Sequence, residues 1–138
     1  MDRKRLVRLL VLIAGMALVF FVLLWIGFAV QSQRAYQTGE QALKEGADIL
    51  AQGYFDRAIR YRTPFNFWAE RAADRIELIA QQYEAKGRLL QAIDAYERLA
   101  AALAATSTGW SRARRERIEE LQGKIKSLRE QVRSKNNQ

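Results

Sequence analysis

The stretch LLVLIAGMALVFFVLLWIGFAV, residues 9–30, contains no charged side chain. As a helix rising ~1.5 Å per residue, these 22 residues extend about 33 Å, enough to cross a hydrocarbon layer of ~30 Å. The run has no polar face, so a buried helix of a soluble domain is a poor description of it. It also exceeds the ~7–15 apolar residues of a cleaved signal peptide, although Gly27-Phe28-Ala29 would serve as a small-residue cleavage site. The stretch is therefore read as a transmembrane helix. Leu6 and Val7 extend it past Arg8, whose long side chain reaches the headgroups, and Trp25 lies near the far end, where an amphipathic ring suits the interface.

The flanks give a direction. Arg3, Lys4, Arg5 and Arg8 precede the span, whereas only Arg34 and Lys44 fall in the twenty residues after it. Positive charge accumulates on the cytoplasmic side, so residues 1–8 are expected to be a cytoplasmic flank. The remainder is expected across an inner, cytoplasmic membrane, in the periplasm of a bacterium. Gly15 and Gly27 do not form a close-packing motif within the span.

The net charge of +8 is uneven. Residues 1–30 carry +3, residues 31–108 balance ten basic groups against ten acidic ones, and residues 109–138 carry +5. The neutral centre makes the high pI a poor argument for nucleic-acid binding. The chain has neither cysteine nor histidine. Disulfides, haem ligation and the usual zinc sites are thereby excluded, and so is the commonest general base at neutral pH. No glycine-rich phosphate loop, nucleophile elbow or metal-ligand spacing occurs. No catalytic, cofactor-binding or metal residue is expected, the chain is not read as an enzyme, and no small-molecule substrate is implied.

After residue 30 the composition is rich in Ala, Gln, Arg, Glu and Leu, with one proline, which favours an all-α domain. Breaks are expected at Gly53, at Thr63-Pro64-Phe65-Asn66 (Asn66 capping the next helix), at Gly87 and at Thr106-Ser107-Thr108-Gly109. They predict helices over 34–52, 54–62, 67–86, 88–105 and 111–134. Nothing from Gln31 to Tyr36 breaks a helix, so the first can run on from the span.

Gly53 and Gly87 lie 34 residues apart, and the same offset pairs Ala58 with Ala92, Ile59 with Ile93 and Phe55 with Leu89. The run Ile79-Ala80, Tyr83, Gly87, Leu89, Ala92-Ile93, Tyr96 resembles a tetratricopeptide repeat (TPR). Its small residues allow two antiparallel helices to approach closely, and its aromatic residues fill the space around them. Gly46, Ile49, Gly53, Phe55, Ala58 and Ile59 fit a preceding unit. There, however, Glu45 replaces an expected leucine, Arg62 an expected aromatic, and Pro64 shortens the second helix. The resemblance implies two antiparallel helical hairpins over residues 39–105, after a juxtamembrane connector at 31–38. It also implies a general protein-binding role. The alternative is an unrelated helical bundle.

Three groups of residues are candidate binding features. Asp74, Glu77, Gln81 and Glu84, spaced 3, 4 and 3, share one helix face. The resemblance puts that face on the concave side, where it would suit a basic peptide, and it also reads as an ordinary solvated face. The aromatic residues Phe65, Phe67 and Trp68, with Tyr61, form either an inter-helix core or a docking surface. Ile118, Leu121, Ile125, Leu128 and Val132 make a narrow apolar seam, so residues 106–134 are expected either to cap the domain or to pair with another chain, ahead of a frayed tail at 135–138. The basic run Arg112, Arg114, Arg115, Arg117, interspersed with glutamates, reads as a solvated helix face.

Together these features lead to an expected membrane-anchored scaffold or accessory subunit of a larger inner-membrane assembly. Its partners would be the lipid bilayer and other membrane proteins or an exported polypeptide, with no nucleic acid and no cofactor. A free-standing, membrane-tethered peptide-binding adaptor or chaperone is the alternative, and an envelope enzyme or enzyme regulator a remoter one.

Overall fold

A computed structural model describes residues 3–61, 67–106 and 112–137 of the chain. The fold is all-α. Five helices follow in order: α1 (Arg3–Lys44), α2 (Asp48–Arg60), α3 (Phe67–Ala85), α4 (Leu89–Thr106) and α5 (Arg112–Asn136). No strand occurs among the described residues.

Helix α1 joins the apolar stretch to the small helical domain without interruption. Its apolar part is long and apolar enough to cross a membrane, with a mean hydropathy of 3.0 over its most apolar window, and none of that window is buried against the rest of the chain. It is thus not a core helix. The far part of α1 is different: Ser32, Ala35, Gly39 and Ala42 are buried against α2 and α3. Residues 31–38, expected to be a connector, are helical and contribute to the domain core.

The first turn lies at Gly46, not at Gly53. Gly46 has φ +76°, a left-handed conformation that a residue without Cβ adopts at little cost. The Gly46 N–H donates to the Leu43 carbonyl at 3.1 Å, and the Ala47 N–H to the Ala42 carbonyl at 2.9 Å. This Schellman closure satisfies the carbonyls left over at the end of α1. The second turn repeats it. Gly87 has φ +71°, its N–H donates to Glu84, and the Arg88 N–H donates to Tyr83 at 2.8 Å. Gly53 lies inside α2. The two turns are therefore 41 residues apart, and the 34-residue register does not describe where the first hairpin folds. In the observed register Ala51 answers Ala92 and Phe55 answers Tyr96, all four fully buried.

The antiparallel hairpins α1–α2 and α3–α4 stack on one another, and α5 lies along α4. Alanines at 58, 72, 73, 80, 95 and 102 are almost completely buried and let the helices approach closely. Phe55, Ile76, Tyr96, Leu99 and Leu103 fill the volume between them. In α5, Leu121, Ile125 and Leu128 are buried, with Ile118 and Val132 partly buried beside the core. No large apolar side chain of α5 is exposed among the described residues, and the seam packs within the chain. Helix α5 runs on through Asn136, including residues 135 and 136 that were expected to fray.

At the base of the domain the buried Ser32 hydroxyl donates to the Ala58 carbonyl at 3.0 Å. The Phe28 and Tyr61 rings meet close by, centroids 6.4 Å apart. These contacts fix the end of α2 against the last turns of the apolar stretch.

Candidate functional site

The face bearing Asp74, Glu77, Gln81 and Glu84 is where sequence and structure differ most. Helix α3 presents these residues on one side, as their spacing requires, but basic arms from α5 lie across that side. Arg117 Nη2 donates to Asp74 Oδ1 at 2.8 Å and to Glu77 Oε2 at 2.7 Å. Burial works against the Arg117 charge, yet the bonds to Glu77 and Asp74 outweigh it and raise the guanidinium pKa above its ordinary value. Arg114 bonds Glu70 and the carbonyl of Thr106. Lys124 Nζ lies 3.3 Å from Glu84, which also accepts the Tyr96 hydroxyl at 3.1 Å, and the ammonium sits 4.9 Å above the Tyr96 ring. The Tyr96 bond is the foremost cause of the raised Lys124 pKa.

The predicted acidic stripe is therefore engaged in part from within the chain: Arg117 and Lys124 pair with Asp74, Glu77 and Glu84, while Asp74 and Gln81 remain exposed. It is half of an ionic seam inside the chain. The basic run of α5, expected to be solvated, supplies the other half through Arg114 and Arg117. On the side of α3 facing α1, Asp74, Glu77 and Gln81 line an open groove of about 610 Å³ with Tyr36, Arg71, Arg75 and Leu78. Its charges are mixed, because Arg75 Nε lies 2.7 Å from Glu40 Oε1 and Arg71 stands beside Asp74.

The aromatic candidates separate. Trp68 is half-buried, its ring 5.2 Å from Tyr36, which in turn packs 5.6 Å from Phe55. Phe67 is 58% exposed and carries the Arg71 guanidinium 4.2 Å above its ring. Phe65, the break at residues 63–66 and Trp110 lie outside the described residues.

No protein-family description, no curated protein and no solved structure matches this chain. Its own surface must carry the functional reading.

Sequence reasoning missed the surface at the far end of the first hairpin. There, Gly46, Ile49, Leu50, Gly53, Tyr54, Arg57, Tyr83 and Arg88 line an open groove of about 780 Å³. Ile49 is 73% exposed and Leu50 54%, and Leu90 beyond the second turn is 70% exposed. Gly53 leaves the groove unobstructed: a Cβ built there meets nothing within 4 Å. The sequence signal was the adjacent pair Ile49-Leu50 three residues after Gly46, at positions that cannot both face the core. Among the described residues, no group of three or more carboxylates converges to hold a metal ion.

Proposed function

We propose that this chain is a membrane-anchored scaffold or accessory subunit of a larger inner-membrane assembly. The N-terminus is cytoplasmic, and the TPR-like helical domain acts through protein contacts on the periplasmic side. The observation that carries this reading is the groove around Ile49, Leu50 and Tyr54. An exposed apolar cluster beside a rigid turn has the character of a protein-docking patch, where aromatic and apolar groups concentrate. The uninterrupted α1 supports it, because a domain held rigidly on its anchor presents that patch at a fixed height. From residue 30 to Lys44, α1 rises about 21 Å above the apolar stretch. Confinement to the membrane also raises the effective concentration of the patch toward neighbouring membrane proteins.

A free-standing peptide adaptor would need the α3 acidic face open. Arg117 and Lys124 pair with three of its four residues, which weighs for the subunit. The test is mild detergent extraction of the tagged chain, followed by sizing and mass spectrometry. The expected result is a stoichiometric set of membrane proteins, lost when Ile49 and Leu50 are both replaced by Ser. A folded monomer or homodimer with no companions would overturn the reading.

A further inference from the structure

The end of the domain nearest the apolar stretch is built from aromatic residues at a height that the structure fixes. Phe28 belongs to the apolar run, and the ring of Tyr61, just past the end of α2, meets it in a tilted contact, so Tyr61 stands level with the last turn of the stretch. The Ser32–Ala58 hydrogen bond holds this register. Trp68 meets Tyr36, six residues beyond residue 30 and thus about 9 Å along the helix. Headgroup layers add ~5–8 Å to each side of a hydrocarbon core.

Helix α3 begins at Phe67 and leads away from the apolar stretch, since Arg75 meets Glu40 and Tyr83 meets Asp48 higher on the domain. Side chains of a helix tilt toward its N-terminus, so Phe67 and Arg71 lean toward the membrane side. Phe67 is more than half exposed, although it is a large apolar ring. An aromatic ring with a guanidinium stacked over it suits the bilayer interface. The ring enters the upper acyl and glycerol layer while the cation meets lipid phosphate.

We propose that the base of the soluble domain docks into the headgroup layer of the bilayer, with Phe67 inserted and Arg71 on phosphate, so that the domain rests on the membrane instead of standing clear on its helix. This rests on the reading of residues 9–30 as a span. The occupant is lipid and not a partner protein, because Trp68, beside Phe67, packs on Tyr36 only about 9 Å along α1 from the end of the apolar stretch, within reach of the headgroup layer.

The chain has no cysteine, so single nitroxide labels can be placed freely. Full-length protein carrying L18C, F67C or L90C is reconstituted in nanodiscs of phosphatidylcholine and phosphatidylglycerol. Collision with dissolved oxygen and with a water-soluble nickel chelate is then read for each label. The label at Leu18 should report hydrocarbon and that at Leu90 water. The label at Phe67 should report nickel collisions several-fold below those at Leu90. As a check that keeps the ring, bromolipid quenching of Trp68 in W25F/W110F should be strong for bromines near the glycerol. A Phe67 label as open to nickel as Leu90, with Leu18 in lipid, overturns the docking and leaves the span intact. Protection of Phe67 in native membranes but not in lipid nanodiscs also overturns it, in favour of a protein partner. A Leu18 label in water overturns the span itself, and the docking with it.

Discussion

Phe55 occupies the space where Gly39 would carry a side chain. A Cβ built on Gly39 falls 2.6 Å from Phe55 Cε1 and 2.8 Å from Cδ1, closer than real atoms approach. The contact sets how near α1 and α2 lie, and Phe55 is completely buried there with its ring against Tyr36. Gly39→Ala should therefore destabilise the domain by about 1–3 kcal/mol, the range for overpacking a filled core. Urea unfolding of the full chain in detergent micelles, followed by circular dichroism, reads the loss. Shortening the ring should relieve it, so G39A combined with F55L should cost less than the two single variants added together. Strict additivity would show that this contact does not limit the approach.

The glycines of the first hairpin give a second prediction, with opposite signs at neighbouring positions. Gly53 lies inside α2 with open space around its Cα, so Gly53→Ala should stabilise by about 0.5–1 kcal/mol through helix propensity alone. Gly46 sits at φ +76°, where an L side chain is strained, so Gly46→Ala should cost about 1–2 kcal/mol despite equally open surroundings. Were the turn at Gly53, as the 34-residue register implies, the signs would be reversed.

That reversal marks where the sequence was legible and where it was not. The apolar run and the helical composition are properties of single segments, and they set the fold class. The first turn depends on a choice between Gly46 and Gly53, seven residues apart, either of which can end a helix. The offset from Gly53 to Gly87 is supported by the agreement of Ala58-Ile59 with Ala92-Ile93. The offset from Gly46 is supported by Ala51 with Ala92 and Phe55 with Tyr96, and the structure follows this one, with both aromatic rings buried. The acidic stripe shows a different limit. Its spacing placed four residues on one face, but not what lies over them. A partial signal existed: Arg114, Arg117, Leu121 and Lys124 repeat the 3, 4, 3 spacing of Asp74, Glu77, Gln81 and Glu84. Pairing the two sets requires knowing that α5 returns along α4 with its basic side chains in reach of α3, which local patterns do not encode.

The ionic seam yields a third prediction. Arg117 bridges Asp74 and Glu77 while its own side chain is 28% exposed. The carboxylates are more open, so solvent screens much of the attraction. Arg117→Met should cost about 1 kcal/mol, and the deficit should shrink with salt, as the screening length falls from ~30 Å at 0.01 M to ~3 Å at 1 M. Paired denaturation curves at low and high salt test this. A deficit indifferent to salt would assign the contribution of Arg117 to packing of its aliphatic stem over α3 instead.

The fourth prediction concerns alkaline pH. Burial pushes the Tyr83 hydroxyl pKa up, helped by its hydrogen bond to Asp48. Burial does the same to Tyr96, and the Lys124 ammonium is raised chiefly by its bond to Tyr96. For all three the folded chain holds the proton more tightly than the unfolded chain. Their contribution is therefore fully present below the ordinary values of about 10 for tyrosine and 10.5 for lysine, and it disappears as pH rises through the raised folded values. Stability should thus be level between neutral pH and about 9 with respect to these groups and decline beyond about 10. Tyr96→Phe should be less stable at neutral pH by about 1 kcal/mol, for the lost bond to Glu84, yet show a shallower alkaline decline. Tyr83→Phe should behave alike through its lost bond to Asp48. Chemical denaturation of the three proteins from neutral pH into the alkaline range reads both effects. Parallel curves would show that neither phenol is linked to folding. Curves that converge as pH rises would locate the alkaline weakness of the domain at the two tyrosines that fasten α3 to its neighbours.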